Sequence, residues 1–331
     1  MSNSLRLSRE SILGHRLRVG GLTKRAAFGD SALGVAAAPG LSDSMPRGAA
    51  LSLHARLLGV GPDVLAHPTL TQVWGPRFSA YVVAERDVAA FTIGRHPDSP
   101  AGRGRAEDLA SRIADHLGDS EVPYGEVASA LGVHSNQLRY ATTTGTVRIR
   151  WDGARQPTIR VTDRPDMDEA DAREELARRY LHALGVGNAE GFGRWAGIKP
   201  PRARAIFDSL PGAGTAHVDG REVRYLVDDE ESLANAGEAA SNTIRLLPSG
   251  DIFYLLWGDD RRLLVDDDDL APLLWTSRVW PGAVLLDGDI AGTWRRSGHK
   301  VTIYPWRPFN RARRESIEAE AASMPLPGID R

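Results

Sequence analysis

The chain of 331 residues has no cysteine, which removes disulfide frameworks and thiolate metal sites and fits a reducing cytoplasm. Lysine is nearly missing too: only Lys24, Lys199 and Lys300 stand among 41 basic residues. The arginine excess reads as the coding bias of a GC-rich bacterium rather than as phosphate-binding chemistry. No apolar run approaches the roughly 20 residues that span a bilayer. Residues 1–13 alternate Arg and Leu without an apolar signal core, so secretion is not expected and a cytoplasmic location is. The nine histidines lack His-x-x-x-His spacing, so no metal is expected. Gly185-Val186-Gly187 follows a helical segment rather than a strand, which makes it a turn and not a phosphate loop. The serine-hydrolase elbow Gly-x-Ser-x-Gly is absent. None of these patterns asks for a cofactor.

What is present is segregated charge and a repeated local plan. A net charge of −2 gives no overall pull toward nucleic acid. Yet residues 1–30 carry Arg6, Arg9, Arg16, Arg18, Lys24 and Arg25 against two acids, and residues 295–314 carry seven bases and no acid. The acids gather between them, at Asp259, Asp260 and Asp266 to Asp269. Such a distribution can give a neutral protein one basic face, or simply solvated surface. With 42% hydrophobic residues the chain is globular, and its length suits two to four small domains.

The pattern predicts an α+β fold: three tandem winged-helix modules over residues 1–98, 103–166 and 167–230, then a β-rich C-terminal domain with a terminal helix over 242–331. In the first module, residues 8–26 read as a helix and basic turn capped by Ser8. Residues 31–38 are a second helix, and Pro46 starts a third through Leu57. A short helix at 61–66 and a strand-like stretch at 71–84 follow. The second module has helices at 106–117, 124–131 and 134–143 and strands at 147–150 and 158–161. Its Gly-Glu-Val-Ala-x-x-Leu-Gly-Val, residues 125–133, resembles a helix-turn-helix. The third has helices at 172–184, 190–197 and 200–210 and a hairpin at 215–227 turning on Asp219-Gly220. Residues 228–241 read as a linker. Strands are expected at 244–247, 253–256, 284–286, 289–294 and 300–304, and a last helix at 311–323.

Several pieces recur in one order. They are Leu7-Ser8-Arg9-Glu10, then Gly40-Leu41-x-x-x-x-Pro46-Arg47 running into Leu51-Ser52-Leu53-His54-Ala55-Arg56, then Trp195-x-Gly197 before Ala203-Arg204. After them come Leu247-Pro248 ahead of Asp251 and Gly292-Thr293-Trp294-Arg295. Across nearly its whole length the chain resembles the AlkZ-like DNA glycosylase family, the winged-helix group also called helix-turn-helix 42. The resemblance implies excision of alkylated or adducted purines from double-stranded DNA. It implies a C-shaped surface that grips the duplex, a Gln-x-Gln pair beside the lesion, and a C-terminal hairpin reaching into the groove.

The chain departs from that frame at the pair itself: Ser42 and Ser44 occupy the two Gln positions. In an extended stretch residues two apart face one side, so Ser42 and Ser44 are expected together and Asp43 away from them. Ser42, Asp43 and Ser44 are the catalytic candidates. The two hydroxyls could hold a water, and Asp43, if turned inward, could stabilise an oxocarbenium ion. Equally, Ser42 or Ser44 could cap the next helix and Asp43 could sit at its positive end. The family's Arg-Gly-Thr-Leu-His wing is replaced by Arg77-Phe78-Ser79-Ala80-Tyr81. DNA-contact candidates are Arg9, Arg47 and Arg77 on the first module, Asn136, Arg139, Arg148 and Arg150 on the second, and Arg202 and Arg204 on the third. Arg295 and Arg296 lie where the family's hairpin falls. The function expected is a monofunctional DNA N-glycosylase of the nucleoid. The alternative is a non-catalytic DNA-binding protein, a damage sensor or regulator.

Overall fold

The computed structural model describes residues 5–45, 47–153, 155–235, 243–298 and 300–325. A short strand β1 (Leu5–Arg6) leads into helix α1 (Arg9–Val19), where Ser8 accepts a hydrogen bond from the Ser11 N–H and so satisfies one free end of the helix. Helix α2 (Asp30–Ala37), strand β2 (Leu41–Ser42) and helix α3 (Gly48–Arg56) follow. Pro46, expected to open α3, lies outside the described residues. The hairpin β3 (Leu70–Trp74) and β4 (Ala80–Ala84) turns through Pro76–Phe78, and α4 (Val88–Phe91) closes this stretch.

The same order, helices and then a hairpin, recurs twice. Helix α5 (Pro100–Leu117), β5 (Val122–Pro123) and α6 (Tyr124–Ala130) precede a 3-10 helix at Ser135–Thr144 and the hairpin β6 (Val147–Arg150) and β7 (Thr158–Val161). Helices α7 (Glu169–Leu184), α8 (Ala189–Ala196) and α9 (Pro200–Ser209) precede β8 (Ala213–Val218) and β9 (Arg221–Leu226). Asp219 and Gly220, both at positive φ, make the two-residue turn the sequence signals. Helix α10 (Glu230–Ala234) then occupies part of the expected linker, because Leu233 is fully buried and needs a helix to carry it inward. Residues 236–241 of that stretch lie outside the described residues.

The C-terminal part is β10 (Ile244–Leu247), α11 (Ala271–Leu274), β11 (Gly282–Leu286), β12 (Asp289–Ser297), β13 (Lys300–Pro305) and α12 (Arg311–Ala322). Its sheet has the order β10-β11-β12-β13. Residues 253–256, read as a strand, form turns instead. Asp251 accepts the Phe253 N–H at 3.0 Å, and the Tyr254 hydroxyl lies 2.8 Å from the carbonyl oxygens of both Pro248 and Pro281, which share its one proton. The apolar run is a plug in the core rather than a rung of a ladder.

Two features tie these stretches together. The first and second hairpins join edge to edge through Gln72 and Ile149, giving a six-stranded sheet of order β2-β4-β3-β6-β7-β5. The largest apolar cluster draws Leu17 from α1, Phe91 from α4, Leu176 and Tyr180 from α7, Trp195 from α8, Tyr254 from the plug and Leu285 from β11. Burial of apolar surface therefore links the first and third units to the C-terminal part, while the second unit packs around its own cluster, which Trp74 of β3 joins. β1 also pairs in parallel with β8, which anchors the start of the chain on the third hairpin.

Gly40 shows how tightly the approach to residues 42–44 is fitted. It has φ +72°, and a Cβ placed there would lie 2.4 Å from the Phe91 ring. Gly40→Ala is expected to lower stability by about 2–4 kcal/mol, from left-handed strain plus overpacking. Urea unfolding of the variant tests it, and a loss under about 1 kcal/mol would mean that the turn relaxes freely.

Candidate active site

The Ser-Asp-Ser corner begins as β2, which pairs antiparallel with β4 (Leu41 opposite Val82, Ser42 opposite Tyr81), and the Asp43 N–H continues the ladder to the Ala80 carbonyl at 2.8 Å. The extended backbone sends alternate side chains to opposite sides. Ser42 and Ser44 come together, their hydroxyls 3.4 Å apart, while Asp43 turns inward with 2% exposure. Ser44 is exposed and Ser42 half-buried. Gly250 packs over Ser42; a Cβ there would lie 3.1 Å from the Ser42 hydroxyl.

Asp43 points away from the serines. One oxygen accepts the Ala49 N–H in the first turn of α3 at 3.0 Å, and the other accepts from Gln72 Nε2 at 3.2 Å. Asp43, not Ser42 or Ser44, thus supplies the side-chain oxygen at the amino end of α3. Burial pushes its carboxyl up to about 7, against the opposing pull of the Ala49 N–H, Arg47 and Gln72. Gln72 in turn donates to the Trp151 carbonyl at 3.0 Å and accepts the Trp151 N–H at 2.5 Å. A buried polar relay therefore runs from α3 through Asp43 and Gln72 to the end of β6. Sequence reading missed Gln72; a polar residue in an otherwise apolar strand was the available signal.

Ser44 borders a cavity of about 430 Å³ whose walls include Trp74, Phe78, Tyr124, Trp151 and Arg139. Four aromatic rings share the walls with two guanidinium groups, Arg139 and Arg155, and with the polar side chains of Ser79 and Gln156. Arg139 donates to the Phe78 carbonyl at 3.4 Å. Trp74, only 3% exposed, also serves the core of the second module.

The other expected contacts are distributed more widely. Arg47 lies in the turn before α3 at φ 63°, and Arg77 sits exposed at φ 56° with its guanidinium 5.6 Å from the Trp257 ring centre. Asn136 is exposed on the 3-10 helix, Arg150 is exposed 3.9 Å from Glu121, and Arg204 is exposed on α9. Arg202 is 3.3 Å from Asp98, beside a different cavity. Arg9 is held by Asp289 at 2.9 Å and the Leu264 carbonyl at 3.2 Å. Arg295 is exposed and donates to the Val279 carbonyl at 3.1 Å, and Arg296 beside it is half-buried. Arg148 is a correction. It is 2% exposed and donates to the Gly145 carbonyl at 2.7 Å, with Glu85 3.9 Å away, so it cannot meet a phosphate. The alternation in 147–150 assumed one solvent face; β6 lies inside the sheet between β3 and β7.

Asp251 also resolves. Both its oxygens receive the Arg56 guanidinium, at 2.8 and 2.9 Å, and Ser52 donates at 2.7 Å. Burial pushes its carboxyl up, but Arg56, Ser52 and the Phe253 N–H pull it below the ordinary value. It clamps α3 to the C-terminal part. Among the described residues, His15, His182 and Asp229 bring metal-ligand atoms within 4.8 Å of one another. Both nitrogens of His15 are already bonded, to the Ser232 hydroxyl at 2.9 Å and the His182 carbonyl at 2.8 Å, so the group reads as a structural network.

A family profile described as "DNA glycosylase AlkZ-like" matches residues 33–325. The chain belongs to the AlkZ-like DNA glycosylase family. Among solved structures it is similar to the Streptomyces sahachiroi DNA glycosylase AlkZ, with a TM-score of 0.77 and 16% identity over 98% of this chain and 99% of that one. The mixed α+β fold is thus shared along the full length. No curated protein sequence matches.

Proposed function

We propose that this protein is a monofunctional N-glycosylase that excises alkylated or adducted purines from double-stranded DNA, and that its three helix-and-hairpin units act as winged helices on the duplex. The observation that carries the reading is the Ser42–Ser44 hydroxyl pair, 3.4 Å apart, with Ser44 on the wall of a cavity of about 430 Å³ that four aromatic rings also line. An N7-alkylated purine is already cationic, so its glycosidic bond breaks with little help from a general acid. The protein has chiefly to accept the base, steady the sugar cation and place a water. Trp74, Phe78, Tyr124 and Trp151 suit a planar lesion, the two hydroxyls suit a water, and Arg139, Arg77 and Arg47 suit the flanking phosphates. Asp43 acts by holding the corner, through Ala49 and Gln72, rather than by touching the sugar.

The inward turn of Asp43 also favours a second reading, a damage-binding protein without chemistry, since it takes the nearest carboxylate away from Ser44's cavity. An abasic-site assay on N7-methylguanine duplexes separates the two. Base release that falls by about 10²-fold in the Ser42→Ala/Ser44→Ala double variant supports the enzyme. Tight binding without release supports the second reading, and no DNA binding even at low salt sinks both.

A further inference from the structure

A second and larger cavity, of about 660 Å³, lies on the other side of Phe78. Its walls bring together the start of α5, the 3-10 helix of the second unit, Arg173 in the second turn of α7 and the start of α9. Six cationic side chains line it: Arg95, Arg105, Arg112, Arg173, Lys199 and Arg202. Only two acids, Asp98 and Asp108, do so. Two helices of 18 and 10 residues present their amino ends to it, α5 through Ser99 and Gly102 and α9 through Lys199. Each contributes the positive end of its dipole.

One wall is held rigidly. His96 is 4% exposed, and its Nδ1 is bonded to the Glu169 carboxylate at 2.7 Å. Glu169 is itself fixed by Arg103 through two bonds, at 2.5 and 2.7 Å, so the imidazole cannot rotate freely. Phe78 and Tyr140 stand edge to face with ring centres 4.9 Å apart, and the Arg95 guanidinium lies 4.7 Å from the centre of the Phe78 ring.

We propose that this cavity binds a terminal phosphate monoester carried on a planar group, as in a nucleoside monophosphate or the phosphorylated end of a DNA strand. Near neutral pH a monoester carries between one and two negative charges, against one for a phosphodiester of an intact backbone, so it is held more strongly by the helix ends and the basic wall. The ring of a nucleotide would rest against Phe78 and Tyr140, and its phosphate would meet the helix ends, Lys199 and Arg105.

The test needs no base release, so it stands apart from the glycosylase reading. Calorimetry with adenosine monophosphate is expected to give a Kd below about 1 mM, with adenosine at least about tenfold weaker. Arg105 and Lys199 are both exposed, so the Arg105→Ala/Lys199→Ala variant should stay folded, and it is expected to weaken binding by about tenfold or more. Nicked duplexes with a 5′-phosphate or a 5′-hydroxyl at the nick distinguish the sources. Preference for the phosphorylated nick, lost in the double variant, assigns the site to DNA ends. Binding of the free nucleotide alone assigns it to a soluble ligand. No binding of the nucleotide or the phosphorylated nick, or binding indifferent to the double variant, overturns the proposal.

Discussion

Asp251→Ala is expected to cost about 3–5 kcal/mol of stability, because it strands the Arg56 guanidinium inside the protein with no counter-charge. Arg56 is 3% exposed and Asp251 2% exposed, and neither has water to fall back on. The same substitution removes the acceptor of the Ser52 hydroxyl and of the Phe253 N–H, so the turn that carries the Tyr254 plug loses its cap as well. Denaturant unfolding at neutral pH measures the loss. A double replacement, Arg56→Met with Asp251→Leu, should recover much of it, since an apolar pair of similar volume avoids the buried charge altogether. If the single variant lost less than about 1 kcal/mol, the clamp between α3 and the C-terminal part would not matter to folding.

Asp43 predicts an unusual slope of stability with pH. Its carboxyl stands at about 7 in the folded protein against 3.8 for the free side chain. Between those values the folded chain holds a proton that the unfolded chain has released. Stability from this group is therefore fully present below about pH 4 and falls as pH rises, by up to roughly 4 kcal/mol at pH 7 and above. Asp43→Asn has nothing to titrate there. The gap in unfolding free energy between wild type and Asp43→Asn should shift by about 2–3 kcal/mol between pH 5 and pH 8, in the direction that disfavours wild type at the higher pH. Taking the difference between the two proteins cancels the other ionisable groups. A gap that stays constant over this range would show that Asp43 is charged throughout and fully compensated by Ala49 and Gln72.

Local chemistry made part of this molecule readable from its sequence. Ser8 before α1 and Asp219-Gly220 act within a few residues of themselves, and the structure has a cap and a turn at those places. The two-residue period of an extended chain likewise put Ser42 beside Ser44. What stayed hidden depends on partners far along the chain. Asp251 meets Arg56 across 195 residues, His96 meets Glu169 across 73, and Gln72 meets Trp151 across 79. No spacing rule reports such pairs. Arg148 and residues 253–256 misled for a related reason: alternation and apolarity say that a side chain has a preferred side, but tertiary packing decides whether that side is solvent or core.

The join between Gln72 and Ile149 has a mechanical consequence. Two hairpins fused into one plate, with the Gln72 amide bolted to the neighbouring strand on both sides, cannot swing independently about the Ser42–Ser44 corner. A helix of DNA pressed against a stiff plate must do the bending itself. Weakly stacked or already kinked steps yield most cheaply, so such a surface would begin to sort damaged from intact duplex by compliance, before any bond is broken.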